Sequence, residues 1–306
     1  MKFGYLPNNL TSVGECELYM LPGLAAEFDA CRIAGLTISR IDFGEFRLLE
    51  KSQFSDDLQD VFVYNRVPFY CIFSSYDIDE NIGPARSYLR AQAVLRLARS
   101  LWLLKEGTLF NPLHFIHYKR TKGLNERNPN VYGRLAYSLT GHYELTREEL
   151  PVLEGISYAL ACFDEARMSD ALALAEQLFM ATYIPALLEP TDKFLLLLGS
   201  LEALSGQNAQ RLIKASWITT EQRRLLEGFR KYRNGVAHGK QSVERQQLTA
   251  LQEIVRCLLR EALVWSLQEP SASEVVGAGL VDRLLQLDDA GPQRLATVEF
   301  EYPKLL

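Results

Sequence analysis

The part of the sequence around which the chain is organised reads Tyr232-Arg233-Asn234-Gly235-Val236-Ala237-His238-Gly239-Lys240. Arg233 carries a planar guanidinium that can bind two phosphate oxygens at once. An imidazole ordinarily has a pKa of about 6.5, so His238 can give or take a proton near neutral pH. Asn234 can donate to an oxygen or hold a neighbouring group in place. Phosphate-directed chemistry is therefore concentrated in this stretch.

Hydrophobic spacing predicts a helix on each side of this stretch. Upstream, Thr219 followed by Gln222 is typical of a capping box, and an apolar face recurs at helical spacing through Leu225, Phe229, Tyr232 and Val236. Because Asn-Gly is a strong break signal, this helix is predicted to end at Asn234-Gly235. Downstream, Ser242 is predicted to cap a long helix with an apolar face of Leu248, Leu251, Val255, Leu258 and Ala262. We therefore expect Arg233 in the last turn of the first helix and His238 near the start of the second.

The same residues also fit an ordinary junction between two helices. An arginine near a helix C-terminus is favourable for the helix dipole, and Asn-Gly is common in turns. A lone histidine is often a surface or packing residue. Considered by themselves, these residues leave a structural role and a catalytic role both open.

The motif resembles a known signature. Arg233-Asn234, followed by three residues and His238, is similar to the Arg-x4-6-His signature of HEPN domains. Upstream, the segment Lys-Phe-Leu-Leu-Leu-Leu-Gly-Ser-Leu-Glu-Ala-Leu at residues 193–204 resembles the apolar helix with an embedded glutamate of the Apea-like HEPN group. The resemblance extends over residues 147–268 and implies an all-α HEPN-like helical bundle in this half of the chain.

The resemblance also implies an activity, that of a metal-independent endoribonuclease that cleaves RNA by attack of the 2′-hydroxyl, with no cofactor and no metal ion. Its catalytic residues are expected to be Arg233, Asn234 and His238. RNA-binding residues are expected at Arg230, Lys231, Tyr232 and Lys240. Glu202 is expected in a supporting role, paired with Arg233 or Arg230, because a carboxylate in an apolar helix needs a partner.

Related domains commonly dimerise with two motifs facing a shared cleft, so the resemblance implies a homodimer through the helical domain. The association of the HEPN family with phage defence or toxin-like systems leads us to expect such a role for this chain. The alternative is a non-catalytic HEPN module that binds RNA, a nucleotide or a protein partner, because a fold does not dictate an activity.

Composition limits how RNA can be bound. The net charge is −5 and the sequence pI is about 5.6, which argues against a protein that coats nucleic acid through bulk charge. Residues 221–240 nevertheless contain six basic residues against two acidic ones, a local net charge of +4. This segment is either an RNA-binding patch or a solvated helix face.

Cysteine spacing and hydropathy indicate the compartment. The five cysteines are widely spaced and form no C-x-x-C pair, which favours free thiols in a reducing cytoplasm. No apolar run approaches the ~18–20 residues that a membrane span needs, and the first residues lack the apolar core of a signal peptide. We expect a cytoplasmic protein without membrane contact.

The fold class predicted is α+β, with a mixed β-rich domain at residues 1–143, the helical domain at residues 144–290 and a tail at residues 291–306. A regulatory or targeting role is expected for the first domain, through a regulatory partner or ligand.

The predicted strands of the first domain are residues 13–20 (an edge strand), 36–43, 61–64, 69–73 and 109–118. A helix is predicted from Pro84, and residues 119–143 are predicted as a linker or long ordered loop. His114 and His117 would lie on opposite faces of a strand, so no shared metal is expected. Helices are predicted at residues 152–163, 169–183, 193–205 and 275–285, and Gly206 is predicted to form the turn that ends the helix at 193–205.

Overall fold

The computed structural model describes residues 16–21, 23–33, 35–41, 69–75, 83–107, 113–118, 123–125, 143–165, 169–183, 189–239, 242–268 and 277–287. These residues are mostly helical with a smaller β part, in agreement with an α+β composition. They fall into two compact units. One contains the described strands, and the other contains the helices from Gly155 onward together with Leu103–Lys105.

The first unit contains a six-stranded antiparallel sheet. Its strand order is β3-β4-β5-β1-β6-β7, with bounds β1 Cys16–Leu21, β3 Ala30–Ile33, β4 Leu36–Ile41, β5 Phe69–Ser75, β6 Leu113–Tyr118 and β7 Gly123–Asn125. The prediction that β1 is an edge strand is wrong, because β1 pairs with β5 on one side and β6 on the other. Both partners lie far along the chain, so the local alternation of residues 16–21 carries no sign of them.

A smaller parallel sheet joins β2 (Leu24–Ala26) to β8 (Tyr143–Leu145). Beside it, the hydroxyl of buried Tyr143 donates to the carbonyl of Leu101, 2.8 Å away, in helix α1 (Gly83–Leu104). The prediction of a linker at residues 119–143 is wrong at β7, whose three residues are too few to show a strand period. The rest of that segment before β8, the predicted strand at residues 61–64 and the tail at residues 291–306 lie outside the described residues.

The predicted helices of the second half are present. Their bounds are α2 Leu150–Glu165, α3 Asp170–Ala181, α4 Pro190–Ser205, a 3-10 helix Gly206–Lys214, α5 Thr220–Glu227, α6 Phe229–Ala237, α7 Arg245–Gln268 and α8 Ala278–Leu285. Helix α4 packs against α3 and α7 and buries Phe194, Leu197 and Leu201 completely. Ser200 lies in this apolar face, and its hydroxyl donates to the Ala175 carbonyl at 2.7 Å, so the buried polar group is satisfied.

Helix α7 buries a complete arginine side chain in the helical unit. The Arg256 guanidinium has no exposed surface and donates to the Tyr183 hydroxyl at 2.7 Å and to the Glu253 carboxylate. It also lies 5.8 Å from the centroid of the Phe179 ring. Burial acts to lower the pKa of this guanidinium, but Tyr183 and Glu253 outweigh burial and the net pKa is raised. Arg256 therefore stays charged within a fully partnered network.

The helix before the motif begins as predicted but differs in its middle and at its end. The capping box at Thr219 is confirmed, with Gln222 as its reciprocal partner. The helix is broken at Gly228, where a Cβ atom would come within 2.5 Å of the Tyr232 ring, so the chain forms α5 and α6 instead of one helix. The predicted end at Asn234-Gly235 is wrong, because α6 continues to Ala237. Burial of Val236, which is only 3% exposed, stabilises one more turn and overrides the local break signal.

The downstream boundary also lies elsewhere than predicted. Glu244, not Ser242, occupies the position before α7, and its backbone N–H bonds the Gln247 side chain at 3.2 Å. His238 terminates α6, and Gly239 follows it with a left-handed φ of 65°. Arg233 therefore lies before the last turn of α6, and His238 belongs to the end of the same helix. None of the helices in the described part of the chain has the length and apolar character needed to cross a bilayer.

Candidate functional site

An ion pair between α4 and α6 is the centre of the candidate site. Arg233 Nη1 lies 3.1 Å from Glu202 Oε1. Glu202 belongs to the last turn of α4, and α6 packs against that helix. Of the two partners predicted for Glu202, Arg233 or Arg230, the structure shows Arg233. Both side chains remain in contact with solvent, so the guanidinium keeps donors for a ligand.

The ion pair borders a cleft of about 500 Å³ in the helical unit. Three elements build it, namely the end of α4, the 3-10 helix and α6, and its lining residues are Glu202, Gly206, Gln207, Ala209, Gln210, Phe229, Arg233 and Asn234. Gly206 has a φ of 56°, which favours glycine and lets the chain pass directly from α4 into the 3-10 helix. The predicted turn at Gly206, at the end of α4, is confirmed, and it forms part of the cleft wall.

The cleft has many hydrogen-bonding groups and little net charge. Its charged groups are the Glu202 carboxylate and the Arg233 guanidinium, and Gln207, Gln210 and Asn234 contribute amides. Buried Phe229 and Ala209 supply apolar surface. Such a site can bind a planar polar group through the amides while Arg233 contacts an anionic oxygen beside it.

His238 is not among the residues that line this cleft. It is exposed and caps α6, with its backbone N–H donating to the Asn234 carbonyl at 3.2 Å. Because an α-helix turns 100° and rises 1.5 Å per residue, a five-residue separation places His238 about 140° around the axis from Arg233 and about 7.5 Å along it. One chain therefore brings Glu202, Arg233 and Asn234 together and leaves His238 on another side of the helix.

Three of the four predicted RNA-binding residues, Arg230, Lys231 and Tyr232, belong to α6. Lys231 is exposed, and Tyr232 is half-buried with its ring against Gly228. The Arg230 side chain and all of Lys240 lie outside the described residues. Among the described residues, no group of three or more histidine, cysteine, aspartate or glutamate side chains is arranged to hold a metal ion.

Sequence reasoning missed the contribution of Gln207 and Gln210 to this site. Both lie in the 3-10 helix, for which the sequence gives no periodic signal beyond the turn at Gly206. Phe229 was predicted on the apolar face of its helix, and it is both buried there and part of the cleft lining. A search for polar residues directly after a predicted helix-ending glycine would have found the two glutamines.

Comparison with known proteins adds no further assignment. No protein-family model matches the chain, and neither a curated protein nor a solved structure resembles it significantly. The function is therefore argued from the geometry of the site.

Proposed function

We propose that the chain is a metal-independent endoribonuclease with a HEPN-like helical bundle, acting on RNA in the cytoplasm. One observation carries the proposal: the Arg233 side chain is solvent-accessible at a cleft and forms an ion pair with Glu202 at 3.1 Å. Asn234 lines the same cleft, and His238 is exposed at the end of the same helix. These are the residue types that phosphodiester cleavage without a metal requires.

The reaction uses a nucleophile that RNA itself carries. A His238 imidazole accepts the proton of the 2′-hydroxyl, O2′ forms a bond to phosphorus, and the bond from phosphorus to O5′ breaks. A second, protonated imidazole gives its proton to the departing O5′, so the products are a 2′,3′-cyclic phosphate and a 5′-hydroxyl. Such acid–base help is worth about 10²–10⁴-fold. Arg233 stabilises the negative charge that develops on the phosphate, and Asn234 positions the phosphate.

Two copies of the chain are needed to complete this site. In one copy, Arg233 and His238 are separated by about 140° around α6. This separation disfavours contact of both side chains with the same phosphate. A homodimer whose helical units face each other supplies His238 from one copy to the phosphate that Arg233 of the other copy holds. It also supplies two imidazoles, one as base and one as acid. We include this dimer in the proposal.

The first experiment is RNA cleavage by the purified chain in excess EDTA. Single-stranded RNA should be cut to fragments with 2′,3′-cyclic phosphate ends, and an all-DNA strand should stay intact. Arg233→Ala and His238→Ala should each abolish cutting while the protein stays folded. Arg224→Ala is the matched control, because Arg224 is an exposed arginine of the same basic segment that does not line the cleft. Uncut RNA across several substrates would reject the nuclease.

Mixing the parent chain with an equal amount of the His238→Ala variant tests the dimer. If one site needs both imidazoles, a mixed dimer is inactive because it holds only one. Half of the dimers are parental before exchange and one quarter are parental after random exchange, so the activity should fall to about half of its value before exchange. Unchanged activity after verified exchange would mean that each site uses the imidazole of one chain only.

A non-catalytic binding module is the second candidate. The observation that favours it is that amide side chains line the cleft and His238 does not. In this case the parent protein binds RNA in the presence of EDTA and releases it uncut.

The cellular role that we propose is phage defence or a toxin-like function, with the N-terminal unit as the regulatory or targeting part. Induced expression of the parent chain should then arrest growth, while the His238→Ala variant should not. Sequencing of cellular RNA ends after induction would show where the parent cuts. Growth arrest by both forms would separate toxicity from cleavage and would contradict this role.

A further inference from the structure

The cleft beside Arg233 contains more hydrogen-bonding side chains than the cleavage chemistry uses. Gln207 and Gln210 both line it, and neither takes part in the reaction described above. We propose that this cleft is a nucleobase-binding subsite that recognises the edge of one RNA base, with adenine as the favoured base. The inference rests on the proposed function in taking RNA as the ligand, but recognition of the base does not require cleavage.

The 3-10 helix places the two glutamines on one side. Residues i and i+3 of a 3-10 helix lie directly above one another, so Gln207 and Gln210 project in the same direction. Ala209 and Leu212 face the core of the helical unit, with exposed fractions of 3% and 0%. This fixes the orientation of the helix, and both glutamine side chains remain exposed for a ligand.

Amide side chains match adenine in particular. A glutamine or asparagine amide has a donor beside an acceptor, and adenine presents an acceptor and a donor in the complementary arrangement. Such a bidentate contact discriminates against other bases by about tenfold or more. The exposed bases of single-stranded RNA are recognised in this way on their edges. Gln207 and Gln210 supply two such amides in one cleft.

The charges of the cleft favour a base over a phosphate as its occupant. Glu202 and Arg233 are 3.1 Å apart, so their charges largely cancel inside the cleft. A phosphate would meet repulsion from Glu202, whereas a neutral base does not. Phe229 lines the same cleft and, at 7% exposed, offers a small apolar surface beside a base. The volume of about 500 Å³ lies within the usual range for small-ligand sites.

Arg233 then connects the subsite to the proposed chemistry. Its guanidinium has five N–H donors, and the side chain is 54% exposed although it contacts Glu202. The donors that remain can bind the phosphate next to the recognised base. The subsite would therefore select which phosphodiester of the strand is presented for cleavage.

The test measures binding without cleavage. The full-length His238→Ala protein is titrated into labelled six-nucleotide RNAs that contain uridine at every position except one central adenosine, cytidine, guanosine or uridine. Fluorescence anisotropy should show about tenfold tighter binding of the adenosine strand. Introducing Gln207→Ala or Gln210→Ala into the His238→Ala protein should remove most of the preference for the adenosine strand. Gln177→Ala should leave it unchanged, because Gln177 is an exposed glutamine on α3 outside the cleft.

The outcomes separate this inference from the nuclease proposal. Equal affinity for the four strands, or preference for another base, would overturn the adenine subsite while cleavage by the parent protein stood unaffected. An adenine preference that persists in both glutamine variants would overturn the assignment to this cleft. Adenine-selective binding by a parent protein that cuts no RNA would support the subsite and reject the nuclease.

Discussion

Replacing Glu202 with glutamine tests whether this carboxylate orients Arg233. The Glu202→Gln side chain keeps its shape and one hydrogen-bond acceptor but loses its charge. Glu202 is 36% exposed and Arg233 is 54% exposed, so solvent screens their attraction despite the 3.1 Å separation. Exposed pairs of this kind contribute about 0.2–1 kcal/mol. The free energy of unfolding should therefore fall by less than about 1 kcal/mol.

The same energy limits the effect on cleavage. An ion pair cannot bias the position of Arg233 by more than the free energy that it contributes. Since 1.4 kcal/mol corresponds to a factor of ten, about 1 kcal/mol corresponds to about fivefold. We expect kcat/KM for RNA cleavage by Glu202→Gln to fall by about two- to fivefold.

The control is a second ion pair with similar exposure in α5. Glu221 Oε2 lies 3.8 Å from Arg224 Nη1, and these side chains are 38% and 72% exposed. Glu221→Gln should change stability as little as Glu202→Gln and should cause no loss of kcat/KM. Urea denaturation and initial rates on a fluorogenic RNA measure the two quantities. A hundredfold loss in Glu202→Gln would assign Glu202 a proton-transfer role, and a gain would mean that it competes with phosphate for Arg233. Either result would refute an orienting role.

Three other substitutions test the packing and the backbone geometry of the helical unit. Arg256→Met should lower the free energy of unfolding in urea by about 1.5–3 kcal/mol, because it removes the charged hydrogen bond from the buried guanidinium to the Tyr183 hydroxyl, which keeps the Gln252 amide as a donor. A loss below about 1 kcal/mol would contradict the network. Gly228→Ala should lower the melting temperature and reduce the free energy of unfolding by about 1–3 kcal/mol, because its Cβ would lie 2.5 Å from the Tyr232 ring. The double variant with Tyr232→Ala should lose this clash and recover stability. A double variant that recovers no stability would contradict this cause. Gly239→Ala should cost about 1 kcal/mol by thermal unfolding because of the φ of 65°, and Gly239→Asn should cost less; equal losses would contradict the backbone explanation.

Signals contained in one short segment were predicted correctly from the sequence. The capping box at Thr219 depends on one partner three residues away, and the turn at Gly206 depends on the glycine itself. The cost of leaving a carboxylate unpartnered in an apolar helix predicted an arginine partner for Glu202, with Arg233 and Arg230 both open, and the structure shows Arg233. In each case the deciding physical term is local or concerns one polar group.

Features decided by distant residues were not predicted. Strand β1 is interior because β5 and β6 flank it, which its own alternation does not report. Helix α6 continues through Asn234-Gly235 because burial of the Val236 side chain stabilises the additional helical residues. The cleft escaped prediction for the same reason, since it forms only when the 3-10 helix and α6 meet at the end of α4.

The helical conformation of Asn234-Gly235 also governs the chemical lifetime of the chain. In flexible peptides an asparagine before a glycine cyclises readily, because the glycine nitrogen attacks the side-chain carbonyl and ammonia is expelled. In α6 that nitrogen is engaged in the helical hydrogen-bond ladder, so cyclisation must wait for the turn to unwind. The rate of deamidation at Asn234 during storage therefore reports how often this part of α6 unwinds. Deamidation leaves an added carboxylate beside Arg233.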